Sequence, residues 1–127
     1  MRHESDGSIL FDCGKNVFKF EADNYKKHVS YHKEIATPQG LASIELTLKD
    51  PHCITITPNN GRARYRVFKK IKQKGDRFFV IYWKVISFES KQPYLRSIAT
   101  AFSDSSYNDK IVNKLEKIIW KKRVSST

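Results

Sequence analysis

Arg62-Ala63-Arg64-Tyr65-Arg66-Val67-Phe68-Lys69-Lys70-Ile71 and Arg77-Phe78-Phe79-Val80-Ile81-Tyr82-Trp83-Lys84-Val85-Ile86, separated by Lys74-Gly75-Asp76, decide the fold. The first run alternates cations with apolar residues at period two, which is the repeat of a strand with one wet and one covered face. The second carries aromatic and aliphatic residues at neighbouring positions, as a strand covered on both faces does. It is therefore predicted to be the central strand. Upstream, His52-Cys53-Ile54-Thr55-Ile56-Thr57 is rich in β-branched residues and ends in the turn sequence Pro58-Asn59-Asn60-Gly61. Downstream, a loop through Pro93 leads to the strand Tyr94 to Ser103.

Working toward the amino terminus, Thr37-Pro38 reads as a helix cap followed by proline at the first helical position. Leu41, Ile44 and Leu48 form the apolar stripe of that helix, and Asp50-Pro51 ends it. An earlier helix, capped by Asp23, follows Tyr25, Val29, His32 and Ile35 or Ala36. Residues 8–20 read as a small hairpin. At the other end Ser106 is a cap for a C-terminal helix over 107–122, with Ile111, Val112, Leu115, Ile118 and Ile119 on its apolar side. The expectation is one domain over residues 1–127, of the α+β class. Its N-terminal helices pack on a roughly four-stranded antiparallel sheet, with a C-terminal helix.

Twenty-four lysines and arginines against 13 acidic residues give a formal net charge of +11. Such a balance favours a polyanionic partner, nucleic acid first, although a basic soluble surface accounts for the charge equally well. A composition 39% hydrophobic and 13% aromatic excludes general disorder. Two cysteines, Cys13 and Cys53, make no disulfide framework and read as small buried residues. No secretory signal precedes the first strand, and no apolar run reaches membrane-spanning length. The expected setting is cytoplasmic, without excluding delivery into a target cell, and no membrane partner is expected.

His28 and His32 are four residues apart on the first helix, which stacks them on one face. Zinc is not indicated, because Val29 stands where a zincin carries its glutamate and no third ligand follows. Two half-buried boundary residues are the commoner meaning of such a pair. The chemical alternative is acid and base catalysis, since imidazole titrates nearest neutrality. Cleavage of RNA requires such chemistry: a base takes the 2′-hydroxyl proton, an acid protonates the departing 5′-oxygen, and positive charge stabilises the phosphate between them. Arg62, Arg64 and Arg66 share one face of their strand, and Lys69 follows, so this segment is a candidate nucleic-acid contact. A solvated outer face explains the stripe as readily. Lys84 interrupts the most apolar strand, where an unpaired ammonium would be costly to bury. Thr100 and Ser103 offer hydroxyls to a substrate, and Tyr107 offers a ring to a base.

The order of Lys27-His28-Val29-Ser30-Tyr31-His32-Lys33-Glu34-Ile35, Ile44 to Pro51, Val80 to Val85 and Ile98-Ala99-Thr100-Ala101-Phe102 resembles the phage-type barnase/EndoU/colicin/RelE-like (BECR) nucleases across roughly residues 25–105. In that family a helix histidine is followed by a His-Pro-Glu-like segment, which matches His28 and then His32-Lys33-Glu34 without the proline. A strand ending in Thr-Ala-Phe matches Thr100-Ala101-Phe102. The resemblance implies a metal-independent, cofactor-free ribonuclease of toxin or phage-effector type, acting on RNA such as tRNA. His28, His32, Lys84, Thr100 and Ser103 would form its catalytic group. An acidic antitoxin or immunity protein is the implied protein partner. The alternatives are a non-catalytic nucleic-acid-binding module and an adaptor of a phage or mobile element that keeps a dead nuclease fold.

Overall fold

A computed structural model describes residues 1–59, 62–73, 79–92, 94–104 and 117–121. Short strands β1 (Arg2–His3), β2 (Ile9–Asp12) and β3 (Val17–Phe20) come first, followed by α1 (Ala22–Tyr31), a single 3-10 turn (Lys33–Ala36) and α2 (Pro38–Lys49). Four long strands follow: β4 (Cys53–Asn59), β5 (Arg62–Gln73), β6 (Phe79–Glu89) and β7 (Leu95–Asp104). The last described element is β8 (Lys117–Lys121). Among the described residues these strands form one eight-stranded sheet in the order β1-β2-β3-β7-β6-β5-β4-β8.

The expected four-stranded antiparallel sheet with a C-terminal helix is therefore incorrect. β4 to β7 do form an antiparallel meander, but the N-terminal hairpin extends it: Val17, Phe18 and Lys19 run parallel to Leu95, Arg96 and Ser97. A hairpin with one exposed edge joins the larger sheet because its unpaired backbone groups need partners. At the other edge, Lys117–Lys121 is a strand antiparallel to β4, not the end of a helix. Its sequence Lys-Ile-Ile-Trp-Lys suits a strand as well as a helix turn, and pairing with the edge of β4 decides between them. The earlier part of the expected helix, with Ser106 and Tyr107, lies outside the described residues.

The second helix begins and ends where the sequence places it. Thr37 Oγ1 accepts from the Gly40 amide at 2.9 Å, Pro38 occupies the first turn, and Asp50 closes the helix. Gly40 is required here: a Cβ at that position would lie 1.7 Å from the Glu34 carbonyl oxygen. The close approach clamps the 3-10 turn against α2. The first helix is not capped by Asp23; Glu21 precedes it without a side-chain cap bond, and Asp23 lies within the first turn.

Cross-strand pairs divide the sheet cleanly. Val67 pairs with Val85, and Val85 with Ala101; all three are buried with Ile44, Ile35, Leu41 and Leu48, so this face carries the core beneath α2. The hairpin adds Ile9, Phe11, Phe18 and Phe20 to the same cluster. Residues of the opposite parity, Arg64, Arg66 and Phe68 on β5, Lys84 and Ile86 on β6, and Thr100 and Phe102 on β7, lie on the other face. No helix among the described residues is long and apolar enough to cross a membrane.

Candidate active site

β7 carries an irregularity that shapes the site. Ile86 pairs with Thr100 but Ser87 pairs with Ile98, leaving Ala99 as an extra residue. Such a bulge shifts the alternation by one, so Ile98 and Ala101 both point into the core while Thr100 and Phe102 face the other way. Beyond Ser97, β7 also loses its pairing with β3, and its outer edge is taken over by α1.

That helix presents Asn24 and His28, spaced by four, to the strand, and His32 follows as its non-helical C-cap residue. Asn24 Nδ2 donates to the carbonyl oxygens of Ile98 and Ala99, each at 2.9 Å. His28 Nδ1 lies 3.2 Å from Thr100 Oγ1. The His32 ring stacks on Phe102, with centroids 5.2 Å apart and planes 20° from parallel. Just beyond the helix, Glu34 Oε1 accepts from the Ser103 amide and hydroxyl at 3.4 Å and lies 3.7 Å from His32 Nδ1.

Two cross-strand rows lead from these histidines into the basic face. One is Thr100, Ile86 and Arg66; the other is Phe102, Lys84 and Phe68. Lys84 Nζ lies over both rings of its row, 5.5 Å from the Phe102 centroid and 5.6 Å from that of Phe68, a cation–π arrangement. Neighbouring strands are about 5 Å apart, so the Lys84 backbone is one step from Phe102 and that of Arg66 two steps from Thr100. Arg64 follows Arg66 on the same face, with its guanidinium 5.5 Å from the Phe88 ring, and its buried Nε has no hydrogen-bond partner among the described residues. Burial, and next the Arg64 charge, lower the Arg66 pKa, the signature of two cations crowded in a partly dry place.

Burial also pushes His28 below its ordinary value of 6.5, with Lys27 and His32 adding to the effect. A ring held below 6.5 is mostly neutral at pH 7 and able to accept a proton. In the tautomer that donates from Nδ1 to Thr100, the lone pair at Nε2 is free for that purpose. Burial raises the Cys13 thiol, which removes it as a nucleophile near neutrality.

The structure thus gathers His28, His32, Thr100, Lys84, Arg64 and Arg66, and leaves other expected residues elsewhere. Ser103 has the opposite parity to Thr100 and is held by Glu34. Lys69 points to the core side, 7% exposed, and donates to the Asp50 carbonyl at 2.6 Å and carboxylate at 3.0 Å. It secures the end of α2 and is withdrawn from any phosphate. Arg62 lies on β5 opposite Asn59, its side chain outside the described residues, as is Tyr107 altogether. Asn24, Glu34 and Phe102 were not singled out for their side chains by sequence reasoning. The four-residue spacing of Asn24, His28 and His32 was the available signal for the first. No group of three or more metal-ligating side chains occurs among the described residues. No family model, curated protein or solved structure matches the chain.

Proposed function

We propose that this chain is a metal-independent endoribonuclease that cleaves RNA by attack of the ribose 2′-hydroxyl on the adjacent phosphate. The observation that carries the reading is the convergence of a hydroxyl-anchored histidine with a second histidine and with lysine and arginine on one sheet face. His28 Nε2 takes the 2′-hydroxyl proton, and the 2′-oxygen forms a bond to phosphorus as the bond to the 5′-oxygen breaks. His32, beside the Glu34 carboxylate, supplies the proton that the 5′-oxygen takes up. Lys84 and Arg66 stabilise the charge on the phosphate as it becomes pentacoordinate. The products are a 2′,3′-cyclic phosphate and a free 5′-hydroxyl. Residues 27–35 and 98–102, which carry the likeness to BECR nucleases, supply the histidines and the strand of this site.

The test is incubation of the protein with tRNA and total RNA in EDTA, with analysis of product ends. Cleavage leaving cyclic phosphates, abolished in His28→Ala/His32→Ala, is expected. Salt-sensitive binding without cleavage would instead favour the non-catalytic module, to which the Arg64–Arg66 face and its phenylalanine rings are also suited. With a net charge of +11, an acidic protein inhibitor is the partner class we infer for the nuclease. Failure of the neighbouring gene product to co-purify would count against it.

A further inference from the structure

We infer that Asn24 is the positioning residue of this site: its carboxamide holds the β7 bulge that turns Thr100 and Phe102 toward the two histidines. The ribonuclease reading bears only on the kinetic consequence; the structural assignment stands without it.

The backbone states the need. In a regular strand successive carbonyls point to opposite edges, so a single side chain at one edge meets only alternate ones. Asn24 Nδ2 reaches the oxygens of two consecutive residues, Ile98 and Ala99, at 2.9 Å each. Ala99 is the residue without a partner on β6, so the local twist of the bulge brings both oxygens to the edge that faces α1. That stretch lies just past Ser97, the last β7 residue paired with β3, so the sheet itself offers these oxygens no third strand. A carboxamide nitrogen has two protons, and here each has its acceptor.

The bulge has a chemical consequence. Counting by twos from Ile98 in an unbroken strand would send Thr100 and Phe102 into the core and expose Ala101 and Ser103. With Ala99 inserted, Ala101 is fully buried, Thr100 meets His28, and Phe102 meets both His32 and Lys84. The single extra residue therefore determines which side chains join the arginines on the basic face. Asn24 stands one helical turn before His28, so one helix face grips the bulge and presents the His28 ring, and His32 follows at the C-cap of the same helix.

The test compares the parent with Asn24→Ala and Asn24→Ser by NMR, following the titration of each imidazole and hydrogen exchange along 98–104. In folded variants the His28 titration is expected to move upward toward 6.5, as the ring loses its cover, and exchange at 98–102 to rise at least tenfold. If RNA cleavage by the parent is established, kcat should fall 10- to 100-fold with KM changed less than threefold. A folded variant with an unchanged His28 titration and unchanged exchange overturns the assignment. If neither variant folds, the parent decides: both Asn24 Nδ2 protons should exchange at least tenfold more slowly than in an unfolded chain, and rapid exchange would overturn it. A parent without ribonuclease activity would refute the proposed function and leave these NMR results to judge Asn24 alone.

Discussion

Lys69 and Arg66 stand three residues apart on β5 and meet different surroundings. Lys69, on the α2 side, is buried against the carboxylate and carbonyl of Asp50, the C-cap residue of α2, so its charge is neutralised by the fold. Arg66, on the opposite side, has Arg64 beside it on the strand and belongs to the row that ends at Thr100 and His28. The core face shows the same economy elsewhere. Tyr65 donates to Glu89 at 2.6 Å while the Arg96 guanidinium lies 4.0 Å from the Tyr65 ring centre. Lys69 and Tyr65 on the core side find partners within the fold, whereas Trp83 Nε1 and Ser87 Oγ on that side have no hydrogen-bond partner among the described residues; the cations of the other face lie in the rows that lead to the two histidines. Charge alone therefore does not mark a site. The parity of the strand and the partner at hand do.

Four substitutions and conditions separate the faces. The largest effect is expected for His28→Ala, which should lower RNA cleavage by about two to four orders of magnitude while leaving the melting temperature close to that of the parent. Equal cleavage by the variant would remove His28 from the chemistry. Next, Lys69→Met should destabilise the protein by about 2 kcal/mol, the scale of hydrogen bonds to a charged group, with no change in RNA affinity. Denaturant unfolding beside a binding titration checks both halves, and a loss of affinity at unchanged stability would reverse the assignment of the two faces.

Arg66→Gln should do the converse, weakening RNA binding several-fold and reducing the salt dependence by about 0.7 in the logarithmic slope, as for one lost phosphate contact on a single strand. An unchanged slope would place the RNA elsewhere. The smallest effect concerns pH. Because the folded protein holds His28 below its ordinary value of 6.5, the unfolded chain binds more protons there, and stability rises with pH. The contribution is fully present above 6.5 and is lost as pH falls through the interval down to the folded value. Over the same interval the cleavage rate should decline as the base is protonated. His28→Asn should flatten the stability profile in this range, and a profile identical to the parent's would contradict the assignment.

Much of this arrangement was legible in the chain. Period-two alternation separates Arg64 and Arg66 from Tyr65 and Val67, and Thr37-Pro38 marks the start of α2. The four-residue histidine spacing puts both rings beside one strand. Local pattern could not show the Ala99 bulge, because a small residue in a strand announces no insertion; the spacing of three between Thr100 and Ser103, by contrast, already puts them on opposite faces of any regular strand. Nor could it show that Lys69 would find Asp50, a contact between the middle of β5 and the end of a helix 19 residues earlier. The attachment of β3 to β7 and of β8 to β4 is long-range pairing that depends on which edges remain open.

The most direct test of the central claim compares a mixed-sequence RNA with its fully 2′-O-methylated counterpart in EDTA, using the parent and His28→Ala. The account predicts that the parent cleaves only the RNA, leaving 2′,3′-cyclic phosphate ends, and that the variant is nearly inactive. Cleavage of the methylated strand, or cleavage that the variant retains in full, would contradict it.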